Sequence, residues 1–267
     1  MPGPCVISTS NLLAVAAAAS DLTVENGAGA ALTAASGYLV ADLYDGKVER
    51  AYRSGTSTAA HSLVFSIGST PTMAFAYLGD VSAPSGTSVL TASLSYSNTA
   101  ATGPWTLVGS IPLNSRGDGW LAFASVTAKH WLVAVGLSGA AVLDVGVVWI
   151  GNYVTLPKTF TTITRDPQRF TVTNESSAGT RFRARFGPKR ERFGLEFSAL
   201  TSTQSDAIVA VVDAADGGYN NVVLVPDSQD PAGGFHGTFD DASSESEDAS
   251  RLHMGRSLSF TESARAI

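Results

Sequence analysis

The stretch HSLVFSIGSTPTMAFAYL, residues 61–78, decides the fold. Leu63, Phe65 and Ile67 recur at every second position, the period of a strand that shows successive side chains to opposite faces. After the Gly68–Pro71 break, Thr72–Leu78 forms a second apolar run of strand length. Working outward, Val89–Tyr96 sets Leu90, Ala92, Leu94 and Tyr96 at the same spacing. Trp105–Val108 and Gly119–Ala124 are short strand candidates, and His130–Leu137 and Ala141–Trp149 close the set. Short strands at this rhythm, separated by Gly, Ser, Pro and Asn, predict an antiparallel sandwich rather than alternating helices.

Upstream, Asp45-Gly46 within Gly37–Arg53 is a turn signal. Leu12–Ala19, LLAVAAAA, has no basic flank, is followed by Asp21 and is short for a membrane span, so it reads as a buried helix or strand and not as a leader. Downstream, Asn152 and Pro157 mark a change of composition. Residues 1–157 hold 5 Lys+Arg and 8 Asp+Glu, whereas residues 158–267 hold 12 and 15. A division into residues 1–155 and 156–267 is therefore expected.

The second part opens with polar strands at Thr159–Thr164 and Gln168–Thr173. In Thr180–Phe197, TRFRARFGPKRERFGLEF, Arg181, Arg183 and Arg185 alternate with Phe182, Ala184 and Phe186, which predicts a strand with one arginine face. Gly187-Pro188 breaks it, and Phe193, Leu195 and Phe197 resume the alternation. Thr201 and Gln204 stand at capping-box spacing before Ile208, Val211, Val212 and Ala215, and Asp216-Gly217-Gly218 is a stop, so a helix is predicted here. Asn221–Val225 reads as a strand ended by Pro226, Asp227–Ser250 as loop, and Arg256–Glu262 as a closing strand. The expected fold is mostly β: an N-terminal antiparallel β-sandwich of jelly-roll type plus a smaller α+β domain with one main helix.

Of the 267 residues, 44% are apolar and only 15% charged. A weakly charged surface of small polar residues suits a subunit packed among neighbours. The net charge of −6 argues against wholesale nucleic-acid binding, and no sequence-specific nucleic-acid partner is expected. The single cysteine, Cys5, excludes an intrachain disulfide and a cysteine metal cluster and fits folding in a reducing cytosol. His61, His130, His236 and His253 show no metal-ligand spacing, and neither a phosphate-binding loop nor a nucleophile elbow is present. No catalytic residue, metal or cofactor is therefore expected. Asp42, Asp45 and Asp118 are the acids that a hydrolase would have to use.

Two sets of residues remain as candidates for contact. Tyr44, Arg50, Tyr52, Arg53, Trp105 and Trp120 join aromatic faces to polar groups, the combination that binds sugars, with Tyr38, Asn114, Arg116 and Asp118 nearby in the sequence. Arg181, Arg183, Arg185, Arg190 and Arg192 face an acidic segment carrying Asp240, Asp241, Glu245 and Glu247. Arginine holds carboxylates bidentately, so the two sets predict an interface between copies of the chain ahead of two other readings, a solvated face laced with Glu191 and Glu196 and a nucleic-acid contact.

Certain residues carry a resemblance. Ala41–Gly46, Phe65–Gly68, Ser95–Ser97 before Trp105, His130–Val135 and Asp144–Trp149 together resemble, over roughly residues 20–155, the discoidin-type galactose-binding-like jelly roll. The arginine strand, Arg192–Phe197, the helix after Leu200, Val222–Asp227 and Ser257–Glu262 are similar, over about residues 160–265, to tailed-bacteriophage tail proteins of the distal-tail kind. Phe193 stands where that family usually has tryptophan, and the acidic segment is an addition. The resemblance implies a structural virion protein, made in the bacterial cytoplasm and built into the tail. It would form a homo-oligomeric ring that joins the tube to the tip or fibres, with the jelly roll outside as an attachment or host-glycan contact module and no membrane partner. A free carbohydrate-binding receptor-recognition protein is the alternative, and a host-glycan hydrolase a further one.

Overall fold

The computed structural model describes residues 3–45, 51–84, 86–156, 160–168, 171–175, 181–185, 190–230, 233–240, 244–247 and 254–263. Strand β1 (Val6–Ser8) precedes helix α1 (Leu12–Ala18), then come β2 (Leu22–Glu25), a 3-10 turn at Val40–Leu43, and β3 (Tyr52–Arg53). The sandwich strands follow as β4 (Thr58–Ile67), β5 (Thr72–Gly79), β6 (Val89–Ser97), β7 (Thr106–Ser110), β8 (Gly119–Thr127), β9 (His130–Ala141), β10 (Asp144–Val145) and β11 (Val147–Gly151). Next are β12 (Val154–Thr155), β13 (Phe160–Gln168), β14 (Thr171–Glu175), β15 (Arg181–Arg185) and β16 (Arg190–Leu200). Helix α2 (Ser202–Ala214) leads to β17 (Val222–Val225), β18 (Phe235–Phe239), β19 (Ser244–Glu247) and β20 (Met254–Glu262). The chain is mostly β, as its periodicity predicts.

The sandwich has a five-stranded sheet, β2-β4-β9-β6-β7, over a three-stranded one, β11-β5-β8. Register sets Leu63 and Phe65 of β4 beside Val133 and Trp131 of β9 and Ile67 beside Leu22 of β2, and the buried side chains of β4 and β9 fill the space between the sheets with Met73, Leu78, Val148 and Ile150. The three-stranded sheet is covered on both faces. Phe75, Tyr77, Val147 and Trp149 point the other way, onto Val6, Val223 and Val225. This double burial explains why TMAFAYL and VVWI read as unbroken apolar runs, without polar alternation.

That second contact is made by a larger sheet, ordered β12-β1-β17-β18-β20-β16-β13, with β19 also paired to β20. Two of its strands, β1 and β12, come from before residue 156 and the rest from after it, so one sheet spans the expected division. Its far face carries Ile7, Phe193, Leu195, Leu224 and Phe260, under Ile208 and Val211 of α2. Layer by layer, the molecule is thus sheet, sheet, sheet, helix. Thr201 Oγ1 accepts from Gln204 N and Gln204 Oε1 accepts from Thr201 N, the reciprocal cap that the spacing predicts. Asp216, Gly217 and Gly218 all have positive φ and end α2.

One expectation is corrected. The segment 227–250 reads as loop, yet it contains β18 and β19. β18, FHGTF, is short and holds a glycine, and β19, SESE, has no apolar residue, so neither gives a hydrophobic period; both are held as strands by pairing to β20.

Asn11 ties α1 to the sandwich. Its Oδ1 accepts from Leu13 N at 3.2 Å, capping the helix, and from Ile150 N at 3.3 Å, while Nδ2 donates to Val148 O at 3.0 Å. Asn11→Ala removes the cap and leaves buried backbone groups unpaired. A loss of about 2–3 kcal/mol is expected in a urea melt, against about 1 kcal/mol for a cap alone.

Candidate functional site

The loop end of the sandwich is where β3 meets β10, with Arg53 opposite Asp144. Arg53 Nε donates to Asp144 Oδ1 and its terminal nitrogen to Oδ2, both at 2.7 Å, and the guanidinium lies 4.8 Å over the Tyr38 ring. The fork and the stacked ring fix a flat polar platform. Beside it opens a recess of about 210 Å³ lined by Asn26, Thr33, Tyr52, Thr56, Thr58 and His61. His61 is buried, with Nε2 3.0 Å from Ala141 O, and the buried Tyr52 hydroxyl donates to Thr33 O at 3.0 Å. Hydroxyl, amide and imidazole groups therefore converge in one small polar cavity.

The six aromatic and arginine candidates do not share one place. Tyr52 and Arg53 belong to this loop end. Tyr44 lines a different cleft, between α1 and the end of α2. Register puts Thr106, next to Trp105, beside Tyr96 and hence beside Trp131, at the opposite end of the five-stranded sheet from the Thr58–Ala141 pair. Trp120 lies at the seam between sandwich and large sheet, where its indole N–H donates to Asp230 O at 2.8 Å. Arg50 lies outside the described residues.

The carboxylates are similarly dispersed. Asp42 Oδ2 accepts from Leu39 N and closes the 3-10 turn, and Asp45 lines the cleft beside α1. The buried Asp118 accepts from Asp80 N at 3.1 Å and lies 3.4 Å from Arg116 Nε. Arg116 reaches across the seam to Glu262 Oε1, also 3.4 Å away, and Glu262 Oε2 accepts from Glu191 N at 2.9 Å. Arg165 Nε stands 3.2 Å from Glu191 Oε2, within ion-pair range. Both guanidiniums lie over the Phe235 ring, at 4.8 and 5.5 Å. This network bolts the jelly roll to the base. Among the described residues, no group of three or more His, Cys, Asp or Glu could hold a metal ion. No helix among them is long and apolar enough to cross a membrane.

The basic set divides in two. Arg192 Nε is 2.9 Å from Asp240 Oδ2, so these two pair within the chain. Burial alone would raise the Asp240 pKa, but hydrogen bonds from Ser259 and Thr261 and the nearby Arg192 outweigh it and hold the carboxyl below its ordinary value. Arg190 opens β16, opposite Gln168. Arg181, Arg183 and Arg185 lie on β15, which pairs with β14 in a two-stranded ribbon separate from the three larger sheets' hydrogen-bonded paths. Glu245 and Glu247 lie on β19, opposite Arg256 and Met254 of β20. Asp241 lies outside the described residues.

Sequence reasoning passed over Asp144 and the recess. Asp144 had a signal: a carboxylate inside the apolar run AVLDVGVVW needs a partner. The recess had only Tyr52, because its residues come from 26–33, β3 and the start of β4 and meet only in the fold.

No family model and no curated protein matches the chain. Several solved structures resemble part of it. A GH29 fucosidase of Ruminococcus gnavus in complex with fucose aligns at 16% identity and a TM-score of 0.41, over 54% of this chain and 27% of the enzyme. The CBM32-1 module from a family 31 glycoside hydrolase of Clostridium perfringens aligns at 14% identity and 0.41, over 49% of this chain and 94% of the module. A chitosan-binding module from a chitosanase/glucanase of Paenibacillus sp. IK-5 aligns at 16% identity and 0.38, over 48% and 92% respectively. The chain thus spans about a quarter of the fucosidase's length.

Proposed function

We propose that this chain is a binding and structural subunit without turnover, which assembles with copies of itself and carries a glycan-contacting jelly roll. The finer reading is a ring component of a bacteriophage distal tail, joining the tube to the tip or fibres. The observation that carries the assembly reading is the β14–β15 ribbon. It pairs only with itself among the described strands, and its sequence places arginine at 181, 183 and 185. The acidic segment at 244–247 is an extended strand and not a loop, and among the described strands it pairs with β20 alone. Glu245 and Glu247 therefore repeat at the two-residue period of the arginines. A ribbon of one copy meeting the acidic strand of the next is a head-to-tail contact, and such contacts close into rings when the rotation allows. Charge pairs of this kind set register and partner choice.

The jelly roll cannot swing freely on this base. It is held by the apolar seam, by Trp149 donating to Ser8 Oγ at 2.8 Å, and by the Arg116–Glu262 pair. A ligand caught at the Arg53 platform and its recess would thus be tied mechanically to the assembly. The test is the mass of the purified chain in dilute salt, with images of the particles. Rings of one copy number support assembly, whereas a monomer that binds a glycan array supports a free receptor-recognition protein, the second reading that the polar recess favours. New reducing ends after incubation with host polysaccharide would instead establish a hydrolase.

A further inference from the structure

Between the sandwich and the large sheet lies a second cavity, a cleft of about 610 Å³. One wall is Trp120, Leu121 and Ala122 of β8 with Ser110 and Pro112; the other is Pro4 and Val6 with Tyr153 and Thr155, and Ser228 and Gln229 stand at the rim. Pockets of this size hold ligands of a few rings. Among the described residues, none that lines the cleft is ionisable below the tyrosine range, although Arg116 pairs with Asp118 and Glu262 on the same seam. An anion or a cation would find no countercharge among the described lining residues.

The aromatic surfaces are fixed in place. Phe75 is fully buried, with Trp120 stacked at 6.1 Å and Tyr153 tilted at 6.0 Å. Trp120, 7% exposed, spends its one polar group on Asp230 O, so the little of it that reaches the cleft is carbon, and the partly exposed Tyr153 is the more accessible ring. Around these rings stand the hydroxyls of Ser110, Thr155 and Ser228 and the carboxamide of Gln229, groups that both donate and accept. We infer that the seam cleft is a second ligand site and takes a neutral polyhydroxylated molecule, a short uncharged oligosaccharide. Pre-fixed carbon faces match the apolar face of a pyranose, and the uncharged donor–acceptor rim matches its hydroxyls without the desolvation cost of a charge. An uncharged peptide would also tolerate the lining, but the side-chain hydroxyls and carboxamide of the rim, which both donate and accept, match the dense hydroxyls of a sugar more closely. The inference rests on the glycan-contact reading and is independent of assembly.

The experiment is calorimetric titration of the full chain with neutral di- to tetrasaccharides and with uronate-containing counterparts. Three variants accompany it: Ser110→Trp, which fills the cleft from an exposed strand position; Gln229→Ala at the rim; and Thr56→Trp, which fills the loop-end recess. The expected result is neutral-sugar binding weakened about tenfold or more by Ser110→Trp and Gln229→Ala, with little change from Thr56→Trp and unaltered melting temperatures. Binding lost only in Thr56→Trp would overturn the seam site and leave the glycan reading standing. Preference for the uronates would overturn the neutral assignment. Absence of binding to any sugar would overturn both.

Discussion

Lowering the pH from 6.5 to 5 is expected to destabilise the protein by about 2 kcal/mol through one side chain, His236. Its ring is buried edge-on against Trp149 at 5.8 Å, and neither ring nitrogen has a hydrogen-bond partner among the described residues. Burial pushes its pKa down from 6.5 to about 3. The sign follows from linkage. Below pH 6.5 the unfolded chain takes up a proton that the folded chain refuses, so the contribution is complete above 6.5 and is lost as the pH falls toward 3. The limiting slope is about 1.4 kcal/mol per pH unit. Burial also lowers the His130 pKa, but that ring is partly exposed and is common to wild type and variant. Urea melts of wild type and His236→Phe across this range should diverge by that slope, and the imidazole should stay neutral by NMR to below pH 5. Parallel stability profiles together with an NMR titration near 6.5 would show that the ring is solvated and the seam is loose.

Charge reversal of the ribbon is the second large effect. Arg183→Glu with Arg185→Glu sets acid against the acidic strand of a neighbour, and like charges in juxtaposition cost several kcal/mol across an interface. Loss of the assembly is expected at concentrations where the wild type is fully associated. Far-ultraviolet circular dichroism and the melting temperature should stay close to wild type, because among the described strands β15 pairs only with β14. Reversing Glu245 and Glu247 to Lys in the same chain should restore association in part. An assembly indifferent to both changes would remove the ribbon from the interface.

Much of this fold was legible because its strands are half-buried. Leu63, Phe65 and Ile67 alternate because one side of β4 meets the core, and the Thr201–Gln204 cap announces α2 whatever lies around it. Legibility failed where pairing, not hydrophobicity, makes the strand. β1 has three residues and is placed by β12 and β17, both far away in sequence. β19 is polar throughout. The site was less readable than the fold. Arg53 was visible as a candidate, but its partner Asp144 is 91 residues away, and nothing local shows that Trp120 sits at a seam. Asp240 and Arg192, which the charge pattern offers to a neighbour, satisfy each other within the chain. Local period determines which residues face inward; only the three-dimensional arrangement determines which polar residues are left for something else.

The most direct measurement is native mass spectrometry of the purified wild-type chain over a range of ionic strength. A closed oligomer of single copy number in dilute salt, dissociating as salt screens the arginine–carboxylate contacts, is the predicted result. A monomer at every concentration and ionic strength would contradict the assembly at the centre of this account.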